Sequence, residues 1–156
     1  MKLAEFVVTD AVIPELAATD RNGAIRELID ALAAAGKIAA ADAPEIAKIV
    51  IQRENQGSTG FGKGVAVPHV KHACTRGVVA AIGRSSAGID FSALDRAPVY
   101  TVFLLVSPPD NPDAHLAAME SIFRHLTRDN FRRFLRQATT RKEIIDLLHE
   151  ADEMPR

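Results

Sequence analysis

The chain of 156 residues has no tryptophan, one tyrosine and one cysteine. A lone Cys74 excludes an internal disulfide, as expected of a protein kept in a reducing compartment. Aromatic residues make up only 5% and are scattered, so no basic and aromatic platform for stacking bases is present. The formal net charge of −1 supplies no field for a nucleic acid. No apolar run approaches the roughly 18 residues that cross a bilayer. The opening residues Met1-Lys-Leu-Ala-Glu5 carry an early acid and no apolar core of a signal peptide. Internal repeats and low-complexity tracts are also missing. These absences predict a cytoplasmic protein that neither enters a membrane nor binds DNA or RNA. The 47% apolar and 25% charged content fits one globular domain over 1–156.

Hydrophobic spacing predicts helices at both ends. Ile25, Leu28, Ile29 and Leu32 recur at helical intervals between Asp20, a suitable N-cap, and Gly36, a natural stop. A second helix is expected over about 42–55, with Asp42 as cap and Pro44 in its first turn. Its apolar stripe is taken as Ile46, Ile49 and Val50, which puts Arg53 at the next inward position. A guanidinium there is costly to bury without an anion, so Arg53 either reaches solvent, pairs with a carboxylate, or serves a ligand.

Strands are expected over 65–70 and 78–84, followed by a polar loop over 85–98. Val99-Tyr-Thr-Val-Phe-Leu-Leu-Val106 is apolar on both faces, the mark of a covered central strand. An N-terminal strand within Phe6–Val8 or Ala11–Leu16 is also expected. Three helices then follow, over about 112–127, 129–137 and 140–150. Their expected caps are Asn111, Asp129, and Thr139 or Thr140. Helices on both sides of a covered strand predict a three-layer α/β/α sandwich with a central mixed β-sheet.

The richest segment is Gly57-Ser-Thr-Gly-Phe-Gly-Lys-Gly-Val-Ala-Val-Pro-His69. Its glycines permit positive φ and close approach to a ligand, and bare amides in series form an anion-binding concavity. Pro68 then punctuates the strand immediately before His69. The segment partly matches the nucleotide loop G-x-x-x-x-G-K-[ST], but Gly64 stands where the magnesium-binding hydroxyl belongs. That loop also leaves a strand and opens a helix, whereas this one does the reverse. A metal site from His69, His72 and His115 lacks a completing cysteine or carboxylate, and no cofactor is expected. No G-x-S-x-G elbow makes Ser58 a nucleophile.

A phosphohistidine site uses what is present. Neutral imidazole is a nucleophile, and phosphoryl transfer needs chiefly positioning and charge stabilisation. The amides of Gly60, Gly62 and Gly64, the hydroxyls of Ser58 and Thr59, Arg53 and His115 are the groups expected to supply them. His115 shares a face with Met119, Ile122 and Leu126, and it lies in a first turn whose dipole opposes its protonation. Without that context it reads as a core histidine. His72, His125 and His149 are read as structural or surface residues, Lys63 and Lys71 as flanking cations, and Cys74 as a packing residue.

The run Arg53 to His69 resembles the signature of the mannitol/fructose-type enzyme IIA domains of the bacterial phosphoenolpyruvate-dependent phosphotransferase system. That family includes the nitrogen-regulatory EIIA proteins. The strand Val99–Val106 followed by Asp113-Ala-His115-Leu116 is similar to its second histidine region. The resemblance implies that His69 accepts a phosphoryl group from HPr or an HPr-like carrier, and that Arg53 and His115 contact that group. It further implies onward transfer to an EIIB domain or use as a signal to a regulatory target protein. The chain ends at Arg156 without an EIIB or EIIC region, which favours the nitrogen-regulatory branch as an expectation. A non-catalytic anion-binding module on the same fold is the alternative.

Overall fold

The computed structural model describes residues 1–154. A short helix α1 (Leu3–Phe6) leads into β1 (Val7–Ile13), then α2 (Arg21–Ala34) and α3 (Ala43–Gln56). Five strands follow: β2 (Gly60–Gly62), β3 (Val65–Ala66), β4 (His69–Lys71), β5 (Val79–Ile89) and β6 (Val99–Ser107). The chain closes with α4 (Pro112–Leu126), α5 (Asp129–Gln137) and α6 (Arg141–Glu153).

Local chemistry sets the helix ends. Asp20, Asn111 and Thr140 each accept a backbone N–H of the first turn, from Gly23, Ala114 and Glu143. Gly36 takes φ +72° just beyond α2, the left-handed geometry that ends helices cheaply with glycine. Two expected caps do not cap. Asp42 makes no such bond because its backbone is already helical, at the end of a 3-10 turn over Ala40–Asp42. Asp129 lies inside the first turn of α5, and Arg128 holds the cap position.

The strand order is β1-β5-β6-β3-β2, with β4 also on β6. β1 runs parallel to β5, and β5 antiparallel to β6. β3 and β4 lie parallel on successive stretches of the same edge of β6. Residues alternate along β6. Val102, Leu104 and Val106 pack with α2 and α3, while Phe103 and Leu105 pack with α4, α5 and α6. The sandwich therefore has a core on each sheet face, as the doubly apolar strand requires.

Three local expectations are corrected. The strand expected over 65–70 is two pieces, split at Val67-Pro68, because proline has no N–H for the ladder. The supposed loop over 85–98 begins as strand. β5 runs to Ile89 through an irregularity between Arg84 and Ile89, where Gly88 takes φ +85°. The N-terminal strand is one run, Val7–Ile13, that overlaps both expected segments.

Candidate functional site

The glycine segment is not an open loop. β2 and β3 form an antiparallel hairpin whose turn is Lys63-Gly64, both at positive φ (62° and 80°). Two consecutive left-handed residues suit the twist of a tight hairpin. Three backbone amides of the segment are taken. Gly57 N–H reaches Glu54 O, Gly60 N–H reaches Ser58 Oγ, and Lys63 N–H reaches Asp95 Oδ2. The Ser58 hydroxyl donates to Phe91 O. The expected run of free amides is thus corrected in part, because Gly57, Gly60 and Lys63 donate to Glu54, Ser58 and Asp95. Gly60 has a close-packing reason, since a Cβ there would lie 3.0 Å from that of Ala93. Gly62 and Gly64 carry positive φ.

The hairpin is anchored by a residue the sequence did not reveal. Glu54 is buried, 3% exposed, and its carboxylate accepts Thr59 N–H at 3.1 Å and the Thr59 hydroxyl. The inward stripe of α3 is Ala43, Ile46, Ala47, Val50 and Glu54. Arg53 lies beside it and is exposed, so its expected inward position is corrected. Its Nη1 donates to Gly57 O at 2.6 Å across the end of α3. Starting the stripe at Ala43 instead of Ile46 would have found Glu54.

Thr59 passes the anchoring on. Its carbonyl accepts Val67 N–H at 3.3 Å. The Val67 carbonyl is 2.8 Å from His69 Nδ1. A carbonyl oxygen only accepts, so Nδ1 carries the proton and donates. Nε2 of the neutral ring then holds the lone pair. His69 is half-buried at the start of β4, in register with Leu105 of β6.

Two residues past Leu105, the same strand ends in buried Ser107. The chain turns through Pro108-Pro109 into α4 and brings back His115, 7% exposed. His115 Nδ1 lies 2.7 Å from Ser107 Oγ. The two imidazole centroids are 5.8 Å apart with 50° between ring planes. Burial pushes the His115 pKa below the ordinary histidine value, and the neighbouring His69 and Lys71 push it the same way. His115 is therefore neutral near pH 7, a buried ring facing His69.

The remaining expected residues separate. His72 turns to Glu45, with Nε2 3.1 Å from Oε2, while its Nδ1 accepts Cys74 N–H. His125 is buried beside Phe131, its ring 5.8 Å from that ring, and His149 is exposed. No helix among the described residues is long and apolar enough to cross a membrane.

The chain is similar to known proteins over nearly its whole length. Residues 5–151 match the family model for the phosphoenolpyruvate-dependent sugar phosphotransferase system, EIIA 2. The chain is 30% identical over 153 residues to the PTS system fructose-specific EIIABC component of Bacillus subtilis, covering 98% of this chain and 24% of that longer protein. It is 30% identical over 148 residues to a nitrogen regulatory protein of Bradyrhizobium diazoefficiens, covering 95% of each. The crystal structure of the nitrogen regulatory protein IIA-Ntr from Neisseria meningitidis superimposes with a TM-score of 0.83 at 23% identity, over 94% of this chain and 98% of that one.

Proposed function

Because the chain belongs to the EIIA 2 family of the phosphoenolpyruvate-dependent sugar phosphotransferase system, we propose that it is a histidine phosphocarrier with His69 as the acceptor. The donor is the phosphohistidine of HPr or an HPr-like carrier. The His69 Nε2 lone pair forms the new P–N bond as the donor's P–N bond breaks. The departing electron pair stays on the donor nitrogen. The proton on Nδ1 stays in place, facing the Val67 carbonyl, which offsets the positive charge that develops on the phosphorylated ring. His115, neutral and held at Nδ1 by Ser107, donates from Nε2 to a phosphoryl oxygen. Arg53, freely exposed at the hairpin's foot, leaves Gly57 to meet the same oxygens when the donor docks.

The observation that carries this reading is the bond from His69 Nδ1 to the Val67 carbonyl, which fixes the tautomer a nucleophile needs. The hairpin residues Ser58, Thr59, Gly60, Gly62 and Gly64 act through that bond. Thr59 holds Val67 in place through its carbonyl. No metal or cofactor enters the step, since the donor and acceptor proteins supply the neutralising groups.

From phospho-His69 the group passes to an EIIB domain or remains as a signal for a regulatory target. We assign the second fate, the nitrogen-regulatory one. The match to the Bradyrhizobium protein over 95% of both chains supports it. The test incubates the protein with enzyme I, HPr and labelled phosphoenolpyruvate. Label that is acid-labile, base-stable and absent from His69→Ala is the expected result. No label with any competent HPr leaves an anion-binding module in its place. Efficient transfer to a sugar-specific EIIB would move the protein to the transport branch.

A further inference from the structure

A second site lies at the other end of β6. The Lys63-Gly64 turn, Tyr100 and α5 enclose a cleft of about 580 Å³, within the roughly 300–1,000 Å³ range of small-molecule sites. Tyr100 stands next to Thr101, which is four residues from Leu105, the register partner of His69. That separation is about 13 Å along the strand. The cleft is therefore outside the imidazole pair.

Its lining is cationic. Lys63, Arg132, Arg133 and Arg136 face two carboxylates, Asp95 and Asp129. Neither carboxylate serves Arg136. Asp129 pairs with Arg132, and Asp95 accepts the backbone N–H groups of Lys63 at 2.9 Å and Ala97 at 3.0 Å. The Arg136 guanidinium carbon lies 3.6 Å from the centroid of the Tyr100 ring. Stacking fixes the plane of the guanidinium and leaves its N–H edge for an acceptor. Among the described residues no acceptor or carboxylate takes that edge. The base of the residue is fixed too, because Arg84 Nε donates to the Arg136 carbonyl at 2.8 Å.

A pre-oriented, unpaired guanidinium in a cleft with an excess of two positive charges fits a dianion with several oxygens. We propose that this cleft binds a soluble phosphate monoester, with Arg136 making the paired hydrogen bonds and Lys63 and Arg133 adding charge. The ester group, a sugar or a nucleoside, lies over the Pro98 and Val65 side of the cleft. Occupancy bears on the hairpin whose far end holds Val67. This site does not depend on His69 being an acceptor.

The experiment is a titration of the isotope-labelled protein followed by amide and arginine-side-chain NMR signals. Separate arms use glucose 6-phosphate, AMP and inorganic phosphate. Saturable shifts at Lys63, Gly64, Tyr100 and the Arg136 side chain are expected with one ester, with a Kd of about 1 mM or tighter. The arm that binds best names the source. Arg136→Ala weakens it at least about tenfold, and Arg136→Lys restores only part, because an ammonium has no fork. His69→Ala binds unchanged, so failure of the phosphocarrier reading leaves this result intact. Arg136 is exposed, and an unaltered spectrum elsewhere confirms that its variants fold. The proposal is overturned if neither ester saturates, if inorganic phosphate binds as tightly as both, or if Arg136→Ala binds like the parent.

Discussion

The His69 and His115 rings stand 5.8 Å apart between centroids, and each is held at its Nδ1 by a different group. Val67 O holds the first and Ser107 Oγ the second. The pairing leaves both Nε2 edges for chemistry. It also arises from one strand, because β6 seats His69 through Leu105 and ends in Ser107.

The first prediction concerns the bond formed. Nitrogen NMR of the phosphorylated protein shows phosphorus coupled to His69 Nε2 and a retained proton on Nδ1. Coupling to Nδ1 instead would mean that the Val67 carbonyl does not set the tautomer.

His115→Ala lowers the rate of phosphoryl acceptance by about 10²-fold or more, the usual loss for one donor aimed at developing charge. His115→Gln, which keeps a donor, recovers part of it. Ser107→Ala acts in the same direction but less. The measurement is the single-turnover rate from phospho-HPr. Equal rates in His115→Ala and the parent would leave His115 as packing alone.

Glu54 acts through Thr59. Glu54→Ala strips the part-buried Thr59 N–H and hydroxyl of their acceptor, which costs about 1–3 kcal/mol of stability. It also slows acceptance by letting Val67 shift. Thr59→Val keeps the backbone N–H bond and loses only the hydroxyl. It is expected to fall between parent and Glu54→Ala in both melting temperature and rate, and rates unchanged in both variants would separate the hairpin from the chemistry.

Arg53→Ala leaves the melting temperature nearly unchanged, a shift equivalent to about 0.5 kcal/mol or less, because the side chain is exposed. Its phosphoryl acceptance falls. A drop in stability as large as that of a core truncation would make Arg53 structural.

Acid should destabilise the protein through two buried histidines. Burial lowers the pKa of both His115 and His125 from 6.5. Above that value both are neutral folded or unfolded. Below it the unfolded chain takes up protons first, so stability falls as pH drops through the folded values. His125→Leu removes one of the two groups and flattens the loss of melting temperature on acidification. A profile as steep as the parent's would place the titration elsewhere.

Much of the fold was legible in the chain. The eight-residue apolar run Val99–Val106 could only be a covered strand, and that one inference demanded a layer on each side. Asp20, Asn111 and Thr140 mark helix starts because a short oxygen beside the first turn has few other uses. The two histidines were legible for similar reasons, one after a proline and one at a helix start. The phase of α3 was not. Alanine is neutral to burial by type, so Ala43 and Ala47 gave way to Ile49, which is 37% exposed. That slip of one position put Arg53 inside in place of Glu54. The glycine run misled in another way. Flexible residues suggest bare amides, yet the acceptors that use them come from Asp95, Ser58 and Glu54, and only the last two are close in sequence.

Pro68 separates β3 from β4 along the edge of β6, and the break falls beside the imidazole it precedes. The carbonyl that orients the ring is therefore supplied by the main chain. No side-chain substitution can delete it. The proton's position on His69 is therefore written into the path of the backbone.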